Sequence, residues 1–244
     1  MPSQAKAYIS LIIVSGTLLL LLAAGSWSPT NLRQFVIYLG LAALASALKV
    51  RIPGMESTMS PNFAFLLLAM VALPFWQVVA VSLVAALVQS LWASAKRPRL
   101  VQVAFSAAAL VLSSSFAYKF SHLVLVGNGA EFPVVCVILA GSIYLPVNSA
   151  LVSIVIGLVE GQPLRQVCAR CYEWVFPYFM VGIAFAGLVS GVYKPSAVWQ
   201  GALVLLPAMI LTYVYFMNRS ARALPTMTPA PSSEDEEYLA EISS

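Results

Sequence analysis

Three cysteines and a single histidine are the side chains here best suited to covalent or metal chemistry. Cys168-Ala-Arg-Cys171 has the spacing at which two thiolates share one zinc ion or form a redox pair. A tetrahedral structural zinc needs four ligands, however, and charge distribution puts His122 on the opposite side of a membrane. In a helix continuing from Gln162 to Phe176 the two cysteines are i and i+3 neighbours on one amphipathic face, so ordinary interfacial cysteines are the favoured reading. His122 stands in FSHLVLVGNGAEF, where an exposed loop imidazole is expected; proton sensing would need a carboxylate such as Glu131 beside it. The aspartate Asp235 lies in an acidic tail, which leaves no Ser-His-Asp constellation, and no glycine-rich phosphate loop occurs. Neither hydrolysis nor phosphoryl transfer is expected, and the residues call for no metal and no cofactor.

The remaining candidates within the apolar runs are uncharged. Ionisable groups deep in apolar runs mark ion and proton pathways, and these runs carry almost none. Their polarity is Gln89, Ser90, Ser113 to Ser115, Ser142, Tyr144, Asn148, Ser149 and Ser153, most of which interhelical hydrogen bonding explains, with Gly182 and Gly187 permitting close packing. Asn148 and Ser149 directly follow Pro146, so freed backbone carbonyls, an amide and a hydroxyl coincide near Tyr144. That is a way to build a pocket for a neutral ligand, although a packing kink is the favoured reading. The loop VRIPGMESTMSPN, residues 50–62, offers Glu56, Ser57, Thr58, Ser60 and Asn62 before a short apolar arm. It reads either as a partly re-entrant cover for a cavity or as a solvated connection. The candidate ligand-binding set is Tyr144, Asn148, Ser149, Glu56 and Asn62.

The elements that must position these residues follow from composition. The 244 residues are 61% hydrophobic and 9% charged, with mean hydropathy +0.90. A water-soluble surface needs roughly 25% charge, so the solvent is lipid and the fold class is an all-α polytopic transmembrane helical bundle. About eight runs qualify as spans: 7–25, 34–49, 62–73 with 75–93 as a hairpin turning at Pro74, 101–118, 132–160 as one helix kinked near Pro146, 175–192 and 197–217. Lys and Arg accumulate in short cytoplasmic loops, and this arrangement puts Lys6, Lys49, Arg51, Lys96, Arg97, Arg99, Arg165, Arg170, Arg219 and Arg222 inside. Only Arg33, Lys119 and Lys194 fall outside, so both termini are expected in the cytoplasm. Charges scattered singly between apolar runs orient a chain in a bilayer and do not form a nucleic-acid surface.

Lys6, an apolar core and Ala23-Ala24-Gly25 mimic a signal peptide, but the core exceeds the usual 7–15 residues, which favours a retained anchor. Trp27, Trp76, Trp92, Trp174 and Trp199 fall near span ends, as an interfacial belt would. Two regions result: a bundle over 1–222 and, over 223–244, a Pro/Ser-rich acidic cytoplasmic tail that cannot bury a core.

Residues 41–92, LAALASALKVRIPGMESTMSPNFAFLLLAMVALPFWQVVAVSLVAALVQSLW, together with YLPVNSALVSIVIGLVEG at 144–161, resemble the MASE-like N-terminal membrane sensory regions of bacterial cyclic-di-GMP signalling proteins. The resemblance covers residues 30–192 and rests on hydropathy and loop wording. It implies a multi-pass protein of a bacterial inner membrane, a sensor-like or accessory module without an output domain. Such a module would bind a small hydrophobic ligand or a partner helix and act through a protein partner or a second copy of itself. A looser likeness, carried by Ala42, Leu44 and Ser46, is to the substrate-binding subunits of energy-coupling-factor vitamin transporters. A structural subunit of a larger membrane complex is the third reading.

Overall fold

The computed structural model describes residues 2–26, 30–48, 50–51, 58–92, 98–127, 133–193 and 197–223. Glu56, Glu131, Lys194 and the acidic tail lie outside the described residues. The order is α1 (Ser3–Gly25), α2 (Leu32–Ala47), β1 (Val50–Arg51), β2 (Thr58–Met59), α3 (Asn62–Ala72), α4 (Phe75–Leu91), α5 (Leu100–Gly127), α6 (Pro133–Glu160), α7 (Leu164–Val192) and α8 (Val198–Ala223). Among the described residues the regular structure is helical apart from β1 and β2, which pair antiparallel with Val50 opposite Met59. That pairing of two residues on each side is confined to the 50–62 loop and leaves the fold class all-α, as expected. Alpha1, α5 over Leu100–Leu125, and α6 are long and apolar enough to cross a membrane, and 32–47, 62–72, 75–91 and 176–192 form shorter apolar helices.

Local chemistry sets the breaks. Pro74 disfavours the helical conformation in Leu73, whose φ of −119° and ψ of 150° end α3. Asn31 starts α2 in the left-handed region at φ 53°, which a short polar side chain tolerates. Gly161, at φ +68°, terminates α6, where a Cβ would be strained. Alpha6 runs unbroken through Pro146, and α7 and α8 likewise contain Pro177 and Pro207. The apolar run at 175–192 and the amphipathic segment ahead of it are one helix, so Cys168 sits half-buried near the start of α7.

Side-chain contacts sort the helix ends into two groups. The starts of α2 and α4 meet where the Gln77 amide donates to the Thr30 carbonyl and where the Phe35 and Trp76 rings lie 5.5 Å apart. Phe75 meets Tyr118 of α5, and Arg33 lies over Trp199 at the start of α8. At the other end, Tyr8 of α1 donates to the Leu151 carbonyl of α6 at 3.2 Å, and Asn62 opens α3 beside Gln89, late in α4. Alpha3 and α4 are therefore an antiparallel hairpin closed at Pro74.

Alpha3 occupies the centre of the bundle. Every residue from Ser60 to Met70 is buried, and Phe65, Leu66, Leu67, Leu68, Ala69 and Met70 have no exposed surface. It packs on α2, α4, α6, α7 and α8. A helix apolar on all faces suits the interior of a bundle as well as lipid, and here its neighbours enclose it. Alpha1 is peripheral, with Leu11, Val14, Leu18, Leu21 and Leu22 exposed, and it docks where Gly16 lies against Ala108 of α5.

Candidate functional site

Three elements converge where α3 begins. Pro61 cannot continue a helix backwards, so α3 starts at Asn62 with no side chain capping its first turn. The Asn62 amide donates to Ser46 Oγ of α2 at 3.0 Å and to Gln89 Oε1 of α4 at 3.5 Å. Asn62 is 4% and Ser46 0% exposed, while Gln89 is half-buried. Ser60, at 5% exposure, has a buried hydroxyl with no hydrogen-bond partner. The result is a polar junction inside an apolar bundle.

An aromatic wall adjoins it. The Phe63 ring lies 4.9 Å from Tyr144 of α6 and 4.2 Å from Phe179 of α7, and the Tyr144 and Phe179 rings are 5.9 Å apart. Glycine seats this group: a Cβ on Gly182 would come 3.0 Å from Phe63 Cδ1, and one on Gly141 would come 2.6 Å from Ile183. Gly187, expected to serve the same purpose, has nothing within 4 Å of a Cβ and mediates no close approach.

Among the residues singled out from sequence, Asn62 and Tyr144 are thus joined through Phe63. Asn148 and Ser149 are half-buried on α6, Pro146 is exposed, and the Asn62 amide is directed to Ser46 and Gln89 instead of to Asn148. Glu56 lies outside the described residues. The part played by Ser46 was not legible, since it reads as one small residue among alanines in LAALASAL.

Elsewhere polarity is mostly absorbed within helices. Ser82, Ser113 and Ser114 donate back to the carbonyls of Val78, Ala109 and Leu110 at 2.8, 2.8 and 2.7 Å. His122 is not in a loop. Alpha5 continues to Gly127, and the imidazole stacks on Tyr118 at 3.9 Å while its Nδ1–H donates to the Tyr118 carbonyl at 2.9 Å. The carbonyl only accepts, so Nδ1 carries the proton. Trp76 is buried against Ala23 and Val79 and is no member of an interfacial belt, whereas Trp92 is exposed. The described residues hold no group of three metal-ligating side chains.

No family model, curated protein or solved structure matches this chain. The junction at the start of α3 is the feature from which function has to be argued.

Proposed function

We propose that this chain is an eight-pass membrane module, both termini cytoplasmic, that binds a small and largely apolar ligand at the start of α3 and acts through a protein partner. The observation that carries the reading is an 11-residue helix buried on every side whose first turn opens onto Asn62, Ser46 and Gln89. Alpha3 is about 16 Å long at 1.5 Å per residue, roughly half of a 30 Å hydrocarbon layer. With the Pro74 turn at one interface, the junction lies toward the opposite ends of α2 and α4, one residue from the end of α2 at Ser46 and two from the end of α4 at Gln89, where a buried polar group is retained for a packing or a binding reason. Discontinuous helices that end inside a bundle are a recurrent way of presenting backbone groups to a ligand.

The topology is supported by the sorting of helix ends. The end shared by the start of α1, the start of α3 and the last turns of α2, α4 and α6 is flanked in sequence by Lys6, Lys49, Arg51, Arg99 and Arg165, whereas the Pro74 end carries Arg33 and Lys119. Arg33 lies 5.0 Å over Trp199 and Lys119 4.4 Å over Phe75, amphipathic pairings suited to a lipid interface. The wording shared with MASE-like regions favours a sensory or accessory module over a transport subunit.

Native mass spectrometry of the detergent-purified chain tests the binding reading. A small molecule retained in stoichiometric amount, and lost in Asn62→Leu, is the expected result. A chain that carries no small molecule and elutes only with other membrane subunits would be a structural component, and the reading would fall.

A further inference from the structure

Charge is divided unevenly between the two ends of the bundle. The segments at the end where α1, α3, α5 and α7 begin carry ten basic residues against three acidic ones, Glu56, Glu160 and Glu173, an excess of seven positive charges. The Pro74 end has Arg33, Lys119 and Lys194 against Glu131. At the basic end Lys6, Arg99 and Arg165 are exposed, and Glu160 is the only carboxylate among the described side chains. Alpha8 starts at the Pro74 end, where Arg33 lies over Trp199, and runs 26 residues to the opposite end. Beta1, which finishes at Arg51, packs on it. The chain beyond Ala223 is therefore delivered to the basic end. It contains no basic residue and five acidic ones, Glu234, Asp235, Glu236, Glu237 and Glu241, and blocks of like charge commonly serve as interaction tails. Pro225, Pro229 and Pro231 precede them. A proline-rich stretch extends about 3.1 Å per residue, so 224–233 spans about 30 Å, roughly the width of three packed helices. Tethering also holds the acids at an effective concentration on the order of millimolar, so a contact too weak to join separate molecules forms within one.

We propose that residues 234–241 dock on the basic end of the bundle, on the face carrying Lys6, Arg99 and Arg165, and neutralise most of its excess charge. Anionic lipid headgroups are attracted to the same cations, but they lie around the rim of the bundle, whereas the tail is attached at its end. The proposal needs only the sorting of helix ends and is independent of the ligand-binding reading.

The test uses the full chain in phosphatidylcholine nanodiscs, one copy per disc, treated with a water-soluble carbodiimide that condenses a carboxylate with a lysine amine in contact with it. Linked peptides are identified by mass spectrometry. Residues 234–241 are expected to link to Lys6, Lys49 or Lys96 and not to Lys119 or Lys194, and the yield should fall in about 0.5 M salt, where charges are screened within about 4 Å. Arg99→Gln combined with Arg165→Gln keeps every lysine reporter and should lower the yield about threefold, the loss expected for two exposed ion pairs. Arg33→Gln, which removes a cation from the Pro74 end, should leave the yield unchanged. Equal linkage to lysines of both ends, a yield indifferent to salt and to the paired arginine change, or the absence of links would each overturn the proposal. Absence of links together with retention of added phosphatidylglycerol, lost in the paired arginine variant, would assign the basic end to lipid instead.

Discussion

Asn62 shows how much one amide decides when it is buried. Its two donors tie α3 to α2 and α4 at once, through Ser46 Oγ at 3.0 Å and Gln89 Oε1 at 3.5 Å. Asn62→Leu leaves the Gln89 carbonyl oxygen without its donor and places a branched side chain where a planar amide fitted. The expected loss is about 1–3 kcal/mol, the desolvation cost of an abandoned polar group, read as a lower Tm or reduced resistance to denaturant in micelles. Gln89→Leu added to Asn62→Leu should cost less than the two changes summed, because the second removes the group that the first orphaned. Strict additivity would mean that the 3.5 Å contact contributes nothing. The sequence pointed to Asn62 as a polar residue at the head of an apolar arm and to Gln89 as intramembrane polarity. It could not join them, because 27 residues separate them and only the turn at Pro74 brings them together.

Between elements, glycine controls approach. A Cβ on Gly16 would lie 2.6 Å from Ala108 Cβ and 2.8 Å from Ala108 Cα, so α1 and α5 touch backbone to backbone there. Gly16→Ile must separate them and should cost about 1–3 kcal/mol, as overpacking does; shortened lifetime of α1 against limited proteolysis in micelles would report the loosened helix. Gly187→Ala, with nothing within 4 Å of its Cβ, should fall within about 0.5 kcal/mol of the parent chain, and a large loss there would contradict the packing of α7. Span positions were readable from runs of apolar residues, and α3, α4 and α6 begin and end within two residues of where those runs do. The extension of α5 past Lys119 to Gly127 was not readable, because Lys119 and His122 look like loop polarity until Phe75 and Tyr118 provide aromatic faces for them.

For the whole molecule, the exposed apolar stripe of α1 and the burial of α3 from Asn62 to Met70 are two answers to one composition. Leu18 and Leu22 are 57% and 67% exposed, while Leu66, Leu67 and Leu68 are 0% exposed. Lipid accommodates the former as readily as the core accommodates the latter, so apolar content does not tell a peripheral helix from a central one. The proposed orientation makes a direct prediction: epitope tags at both ends of the chain should be reached by impermeant antibody only after the host membrane is opened. Reaching the C-terminal tag in intact cells or sealed right-side-out vesicles would reverse the orientation, and with it the side on which any partner docks.

What the amino-acid sequence determined alone is the solvent and the helices: too few charges for water, apolar runs of span length, and prolines that limit where a helix can begin. These follow from each residue's own transfer energy and backbone freedom, which need no neighbour. Which helix is central and which serine meets which amide were decided by tertiary structure. Each is a relation between residues distant in the chain, created when α2, α3 and α4 bring Ser46, Asn62 and Gln89 to one point.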